Sequence, residues 1–360
     1  MIEIDGSQGE GGGQILRSSL SLSVITQQPI TISNIRANRK KPGLRPQHLA
    51  CVQALAQLSE AIVTGDEVGS SHITFSPTAL NHGAFHYDIG TAGSTSLLLH
   101  ALYYPMLWGR QGGTIDLIGG THNSMAPSFD YLERVWQPLL DLAGFPTTLA
   151  LESYGFYPKG GGQIMASVPT FEGFEKSNSQ PPGFDWTARP EIESIEVVGM
   201  FGQPDGHRQR KNIPERMASM AQKMLTRKGY NATAEAVHVS SASTAAVCSI
   251  FVTYGPLRAG FVGFGARGVS SEAVGKQVAQ EALAFLESDA CIDPHAADQL
   301  LLPLALRGSK ATFTTSELTG HLETNADIVQ RFLPNVSIQL EEKEPNLVQV
   351  EILPIEPHLP

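Results

Sequence analysis

The sequence predicts a mixed α/β protein, α/β (α+β) in class. It is read as three copies of one βαβαβ-type module with a compact α+β unit set between the second and third copies. Three observations lead there. Helix-forming stretches recur in pairs with one internal spacing, the second helices carry one-sided apolar stripes, and the third pair is displaced by about 120 residues. The chain has 360 residues, 41% apolar and 17% charged. That is too long for one ordinary core at roughly 150 residues per domain, and its composition is neither disordered nor fibrous.

The first copy opens with a strand at Ile2–Ile4, and a Gly-rich turn then starts a helix near Gln14. A strand follows at about 30–35, and a second helix begins at Pro46. In the second copy, Gly90-Thr91-Ala92-Gly93 precedes a helix from Ser94 to about Trp108, a strand at Thr114–Ile118 and a helix starting at Pro127. The third copy has a helix at Pro294–Leu306, a strand around Ala311–Thr315 and a helix at Thr324–Leu333. The two helix starts within a copy lie 32, 33 and 30 residues apart. Leu49, Val52, Leu55 and Leu58, and likewise Leu132, Val135, Leu139 and Leu142, each mark one buried helix face. Pro46 and Pro127 suit a first helical turn, whereas Pro105 and Pro303 should kink or end their helices.

Phe171 to Pro190, rich in Gly, Pro, Ser and Asn, reads as the connection into the extra unit. That unit shows a strand (Ile192–Val198), a helix (about Pro214–Lys228), strands near 233–240, 246–254 and 258–264, and a helix (about Ser271–Leu286) capped by Ser270 or Ser271. The expected division is 1–182 for the first two copies, 183–288 for the insert and 289–360 for the third copy.

A net charge of −10 argues against a protein that wraps a nucleic-acid duplex. Five of 25 basic residues nevertheless fall together, at Arg36, Arg39, Lys40, Lys41 and Arg45, which suits one or two phosphates or a solvated loop. No apolar run reaches the roughly 18 residues of a membrane span. Met1-Ile2-Glu3-Ile4-Asp5 lacks a secretory pattern, so a cytoplasmic protein is expected. Cys51, Cys248 and Cys291 have neither disulfide nor metal spacing and read as buried free thiols.

Gly9-Glu10-Gly11-Gly12-Gly13-Gln14 lies between a strand and a helix, where backbone N–H groups and the helix dipole favour an anion. It matches neither a P-loop nor the dinucleotide spacing, and a tight turn is an equal reading. Glu10 would repel a phosphate unless a divalent cation bridges them. Pro158-Lys159-Gly160-Gly161-Gly162-Gln163 is a related loop or a hairpin turn. Arg17 lies one turn into the first helix, and Gly119–Pro127 opens the second helix of copy two. Of 11 histidines, two stand out by position. His295 heads the first helix of copy three, and His321 sits in the loop before its second helix. The repeat spacing lets all three second-helix N-termini face one cleft.

Asp5-Gly6-Ser7-Gln8-Gly9-Glu10-Gly11-Gly12-Gly13-Gln14-Ile15-Leu16-Arg17 resembles the opening of RNA 3′-terminal phosphate cyclases. Ile35 to Arg45, Gly155 to Gly162 and Ala297-Asp298-Gln299 resemble the same family, and the similarity spans essentially the whole chain. The resemblance implies a large domain of three repeats like the C-terminal fold of translation initiation factor three, with a thioredoxin-like insert. It implies an ATP-dependent ligase that converts an RNA 3′-terminal phosphate into a 2′,3′-cyclic phosphodiester, using ATP and a divalent ion (Mg2+ or Mn2+). His321 then matches the nucleophile that takes up AMP. His100, Pro127, Tyr131, His295, Ala296, Ala297, Asp298, Gln299 and Glu10 match the ATP site, with Glu10 also the metal ligand. Arg17, Arg36, Arg39 and Gln47 match groups that hold phosphates or the RNA end. His100 stands where the family often has an amide, His295 where it often has an aromatic residue, and Tyr154 where a basic residue is usual.

A neutral imidazole attacking the ATP α-phosphorus would form a phosphoramidate and release diphosphate. AMP passed to the RNA 3′-phosphate gives an RNA(3′)pp(5′)A intermediate, and attack by the adjacent 2′-hydroxyl closes the ring and expels AMP. The alternative is a catalytically silent relative acting in RNA processing or ribosome assembly; such relatives lack the histidine. An enolpyruvyl transferase would need three further repeats in place of the insert. Arg39→Ala is expected to slow AMP transfer to RNA more than self-adenylylation; equal loss in both half-reactions would refute its phosphate assignment.

Overall fold

The computed structural model describes residues 1–174, 183–205 and 212–355. The first repeat runs β1 (Ile2–Asp5), α1 (Gly13–Thr26), β2 (Ile30–Ser33), α2 (Pro46–Ser59), β3 (Ile62–Thr64) and β4 (Ile73–Ser76). In the second, β5 (Gly83–Asp88), α3 (Thr95–Trp108) and β6 (Gly113–Gly119) lead into a continuous helical segment. That segment comprises α4 (Phe129–Tyr131), a π-turn (Leu132–Trp136) and α5 (Gln137–Ala143), before β7 (Thr148–Ser153) and β8 (Gly162–Val168). A short strand, β9 (Phe184–Trp186), precedes the insert. The insert is β10 (Ser194–Gln203), α6 (Ile213–Arg227), β11 (Thr233–Ser240), β12 (Ala245–Tyr254), β13 (Leu257–Phe264) and α7 (Ser271–Glu287). The chain returns with α8 (Pro294–Leu306), β14 (Ala311–Thr315), α9 (Gly320–Phe332), β15 (Val336–Glu344) and β16 (Leu347–Pro354).

The mixed α/β class expected from the sequence is what the chain adopts. Each repeat carries one strand more than the expected module, because its last strand is an antiparallel pair. The three sheets share one order: β1-β2-β4-β3, β5-β6-β8-β7 and β9-β14-β16-β15. In every case the first two strands are parallel and the other neighbours antiparallel. Ile30, Ile32, Ile73 and Phe75 alternate onto the buried face of the first sheet. A period of two therefore fills one face with apolar side chains, and helices must cover it.

β9 corrects the expected boundary at residue 183. Phe184–Trp186 falls in the stretch assigned to the insert, yet it pairs in parallel with Ala311–Phe313 and is the third repeat's first strand. Only three residues long, it gives no period-two pattern to read. Residues 175–182 of the expected connection lie outside the described residues.

Helix starts differ for local reasons. The second helix of copy three begins at Gly320 rather than Thr324, because Thr319 caps it, its hydroxyl accepting from the Leu322 N–H at 3.1 Å. His321 is thus in the first helical turn and not in a loop. The helix of copy two starts at Phe129 behind a Ser128 cap. It then widens so that the Gln137 N–H reaches the Leu132 carbonyl. Pro138 follows, and the wider turn removes the clash its ring would make with the carbonyl four residues back. Pro105 and Pro303 lie inside α3 and α8, each of which ends three residues later.

Helices close the repeats into a ring. The second helix of each repeat packs against the first helix of the next: α2 on α3, α5 on α8, and α9 on α1. Tyr131, Trp136, Phe251 and Phe285 belong to one core continuous through repeats and insert. Arg189 ties down the end of α7. Its guanidinium donates to the carbonyls of Phe285 (3.0 Å), Leu286 (2.9 Å), Ser288 and Ala290 (3.3 Å) and lies over the Phe285 ring. Phe285 and Leu286 belong to the last turn of α7, whose carbonyls have no intrahelical partner, and Ser288 and Ala290 lie just past it. Arg189→Ala is expected to lower the unfolding free energy by about 2 kcal/mol or more. Chemical denaturation checks this, and a loss below about 0.5 kcal/mol would mean that water replaces the guanidinium freely.

Candidate functional site

The site forms where the ring closes between α9 and α1. The Glu10 N–H donates to the Thr324 hydroxyl at 3.0 Å, and that hydroxyl donates to the Gly320 carbonyl. The approach requires Gly9: its φ is +55°, and a Cβ there would lie 2.2 Å from Thr324 Oγ1. At the next residue, Asn325 Oδ1 accepts from Ser18 (2.6 Å) and from the Gln14 amide (3.1 Å), while its own amide donates to the Asp298 carbonyl (3.0 Å). Gln14 in turn holds Arg17, whose guanidinium donates to Gln14 Oε1 at 2.7 Å.

This packing sets His321 beside Glu10, with Nδ1 4.0 Å from Oε2 and the imidazole 49% exposed. Glu10 is also ion-paired with Arg39, which donates to the Glu10 carbonyl as well. Glu10 Oε2 itself is buried without a hydrogen-bond partner. Burial lowers the pKa of His321 from 6.5, and the charges of Arg17, Arg39 and His295 lower it further. The neutral, nucleophilic ring is therefore favoured.

His321 stands on the rim of a cavity of about 560 Å³. Arg17 lines it from the first repeat, and His100, Pro127 and Tyr131 from the second; His295, Asp298 and Gln299 join His321 from the third. His100 packs against Trp136 with 4.7 Å between ring centroids and a tilt of 34°, and its buried Nε2 has no partner. Burial and then the Arg17 charge push its pKa down to about 3, so this ring is neutral. Gln299 Oε1 is likewise buried without a partner. A space of this size, mostly apolar with a few convergent polar atoms, is the form of a small-molecule site.

The structure leaves other expected residues outside the cavity. Arg36 has φ +54° and donates to the carbonyls of Lys41 (2.7 Å) and Gly43 (2.9 Å), so it braces its own loop. Gln47 is exposed at the start of α2 beside Gly93. The ring explains this: α2 faces the second repeat, so only two second-helix N-termini reach the cleft. Ala296 and Ala297 are buried in the packed face of α8 and do not line the cavity. The loop Gly155–Gly162 connects the antiparallel strands β7 and β8, as a hairpin turn. Cys51, Cys248 and Cys291 are free and buried.

Sequence reasoning placed Gln14 in the first candidate loop without a role, and missed Ser18, Asn325 and every contribution of the insert. Gln14, Ser18 and Ser21 lie at helical spacing along one side of α1, and Asn325 lies four residues after His321, so both signals were present. The insert supplies Gly260, Val262, Phe264, Gln277 and Glu281 to the cavity wall, and nothing in their spacing marks them. His48 was also unremarked. It is buried against Arg17, and burial, then the Arg17, Arg36 and Arg45 charges, push it down to about 3. Among the described residues no three His, Cys, Asp or Glu side chains group as a metal site, and no helix is long and apolar enough to cross a membrane.

Fold and site together define a class: a repeat-built α/β protein whose histidine, carboxylate and arginines meet at the seam of its first and third repeats. The family model described as RNA 3′-terminal phosphate cyclase matches residues 8–338. The chain is 40% identical over 353 residues to the RNA 3′-terminal phosphate cyclase of Salmonella agona (strain SL483), covering 98% of this chain and 97% of the relative. It is 38% identical over 354 residues to that of Ralstonia nicotianae, at 98% and 97% coverage. It is 35% identical over 356 residues to that of Gloeothece citriformis, at 95% and 97%. The chain belongs to the RNA 3′-terminal phosphate cyclase family.

Burial pushes the Asp298 carboxyl up to about 7, against the attraction of Arg17 and with Asp293 adding to the rise. Since the ordinary value is 3.8, the folded state keeps a proton that the unfolded chain loses between these values. Stability therefore falls as pH rises through that window and stays lower above it. Asp298→Asn removes this penalty. Relative to the native protein it should gain on the order of 1 kcal/mol or more near pH 8 and nothing near pH 4. Thermal melts at the two pH values check it, and equal differences at both would show that Asp298 is ionised throughout.

Proposed function

We propose that this chain turns an RNA 3′-terminal phosphate into a 2′,3′-cyclic phosphodiester at the expense of ATP, through AMP carried on His321. The observation that carries the reading is the imidazole of His321. It is half-exposed, favoured in its neutral form and 4.0 Å from the Glu10 carboxylate, on the rim of a nucleotide-sized cavity. A nitrogen lone pair so placed attacks the ATP α-phosphorus. The P–N bond forms as the bond to diphosphate breaks. Arg17 and Arg39 oppose the charge on the phosphoryl oxygens, and the positive end of α9 adds to them.

AMP then passes to the RNA 3′-phosphate, freeing the imidazole and giving RNA(3′)pp(5′)A. The 2′-hydroxyl attacks the phosphorus derived from the RNA, closes the ring and expels AMP. Positioning and charge stabilisation account for the protein's share of this chemistry. The adenosine would lie between Pro127, Tyr131 and His295, within reach of Asp298, Gln299 and the neutral His100.

A divalent cation fits at Glu10, where a buried carboxylate oxygen without a partner points toward His321. A hard cation of this kind takes one or two carboxylates and fills its shell with phosphate oxygens and water. It would neutralise charge on the phosphates. The insert, read as residues 194–287, is proposed to form one wall of the nucleotide cavity.

Mass spectrometry after incubation with ATP and magnesium tests the proposal. Added AMP should sit on His321 and be absent from His321→Ala. No adduct with RNA binding intact would instead favour a catalytically silent relative. The pH profile follows from the lowered pKa: adenylylation should hold its rate at pH 6.5 and lose it only in more acid solution. A midpoint above that value would refute the assigned environment of the ring.

A further inference from the structure

Each repeat's first helix is entered through a loop that meets the second helix of the repeat before it. Glu10 meets Thr324 at one junction, and Gly93 meets Gln47 at another. At the third junction Asp293, the residue before α8, meets Tyr131 of α4. Its side chain is fully buried, and Oδ1 accepts from the Tyr131 hydroxyl, the His295 N–H and the Ala296 N–H, all at 2.9 Å. Oδ2 accepts from the same hydroxyl at 3.1 Å and from the Gly260 N–H of the insert at 3.2 Å.

A helix cap explains two of these donors. It does not explain the other two, which come from the second repeat and from β13. Burial raises the Asp293 pKa, while the His295 charge and these hydrogen bonds oppose the rise; four donors occupy its acceptor positions, and three of them cannot act as acceptors. Tyr131, His295 and Gly260 all line the cavity, whereas Asp293 does not. The approach at Gly260 is tight, since a Cβ there would lie 2.8 Å from the Tyr131 ring.

We propose that Asp293 is a positioning residue for the nucleotide: its buried carboxylate holds Tyr131, the first turn of α8 and strand β13 in register, which makes the insert a working wall of the site. This rests on the cavity being the ATP site. Asp293 itself would not touch ATP and acts only through residues bonded to it that line the cavity, so the effect should fall on binding and not on chemistry.

The experiment measures KM for ATP and kcat in self-adenylylation of the full chain, with circular dichroism and thermal melts of each variant. Asp293→Asn turns one acceptor into a donor that faces N–H groups. It should raise KM about tenfold with kcat within about twofold. Tyr131→Phe, which keeps the ring and removes one donor, should raise KM in the same direction. The double variant should be no worse than Asp293→Asn alone, because both changes break one shared interaction.

Arg189→Ala, which loosens the insert away from the cavity, should lower the melting temperature and leave KM unchanged. An unchanged KM in folded Asp293→Asn overturns the proposal. If that variant does not fold, an unchanged KM in Tyr131→Phe does so. An equal rise in KM from Arg189→Ala overturns it as well, since the effect would then be general loosening. Native protein that takes up no adenylate refutes the proposed function and this role together. Native adenylylation with ordinary KM in the variants refutes only the role of Asp293.

Discussion

The side-chain amide of Asn325 holds the two ends of the chain together. It accepts from Gln14 and Ser18 and donates to the Asp298 carbonyl, so three helices from the first and third repeats share one hydrogen-bonded node. A buried amide left without these partners would cost its full desolvation. The seam between α1 and α9 is therefore specified in register as well as in direction. Everything the site needs follows from it. With Asn325 seated, Thr324 reaches the Glu10 N–H, and His321, one helical turn earlier, is carried to the Glu10 carboxylate.

Cyclic packing makes this node possible. Sheets with one apolar face each need covering by helices, and three such units close on one another when every second helix also packs on the next first helix. The closure uses one kind of contact for three purposes. Between the third and first repeats, the carboxylate keeps an oxygen without a partner and faces an exposed imidazole. Between the second and third, Asp293 has its acceptors filled and braces a wall. Between the first and second, Gln47 lies against Gly93. Both carboxyls hold a buried oxygen, and the number of donors around each, more than its residue type, separates the two junctions.

Much of this was legible in residue order. The helix starts at Pro46 and Pro294, the strand at Ala311–Thr315, a cap at Ser270 or Ser271 and the order of the insert's elements are legible in the sequence, because period and capping chemistry are local. What failed was equally local in cause. Phe184–Trp186 is too short to show alternation, and its strand identity comes from its partner β14. α9 starts four residues before the Thr324 that the repeat spacing suggests, because Thr319 caps it. Arg36 matches a phosphate-holding residue only through the family resemblance, the basic cluster itself leaving a solvated loop open, and its left-handed backbone accompanies a guanidinium that donates to its own loop.

The sequence alone determined that the chain is α/β, that one module recurs three times with an insert before the third pair of helices, and that His321, Glu10 and Arg17 are chemically capable residues near helix starts. These follow from spacing, polarity and backbone preference, which act over a few turns. Tertiary structure alone decided which of them meet. It turned Gln47 away and Arg36 inward, brought α7 and β13 of the insert to the cavity, and left His100 neutral by burying it near Arg17. Burial, and charge proximity across hundreds of residues, depend on how helices and sheets pack, and no short window of sequence carries that information.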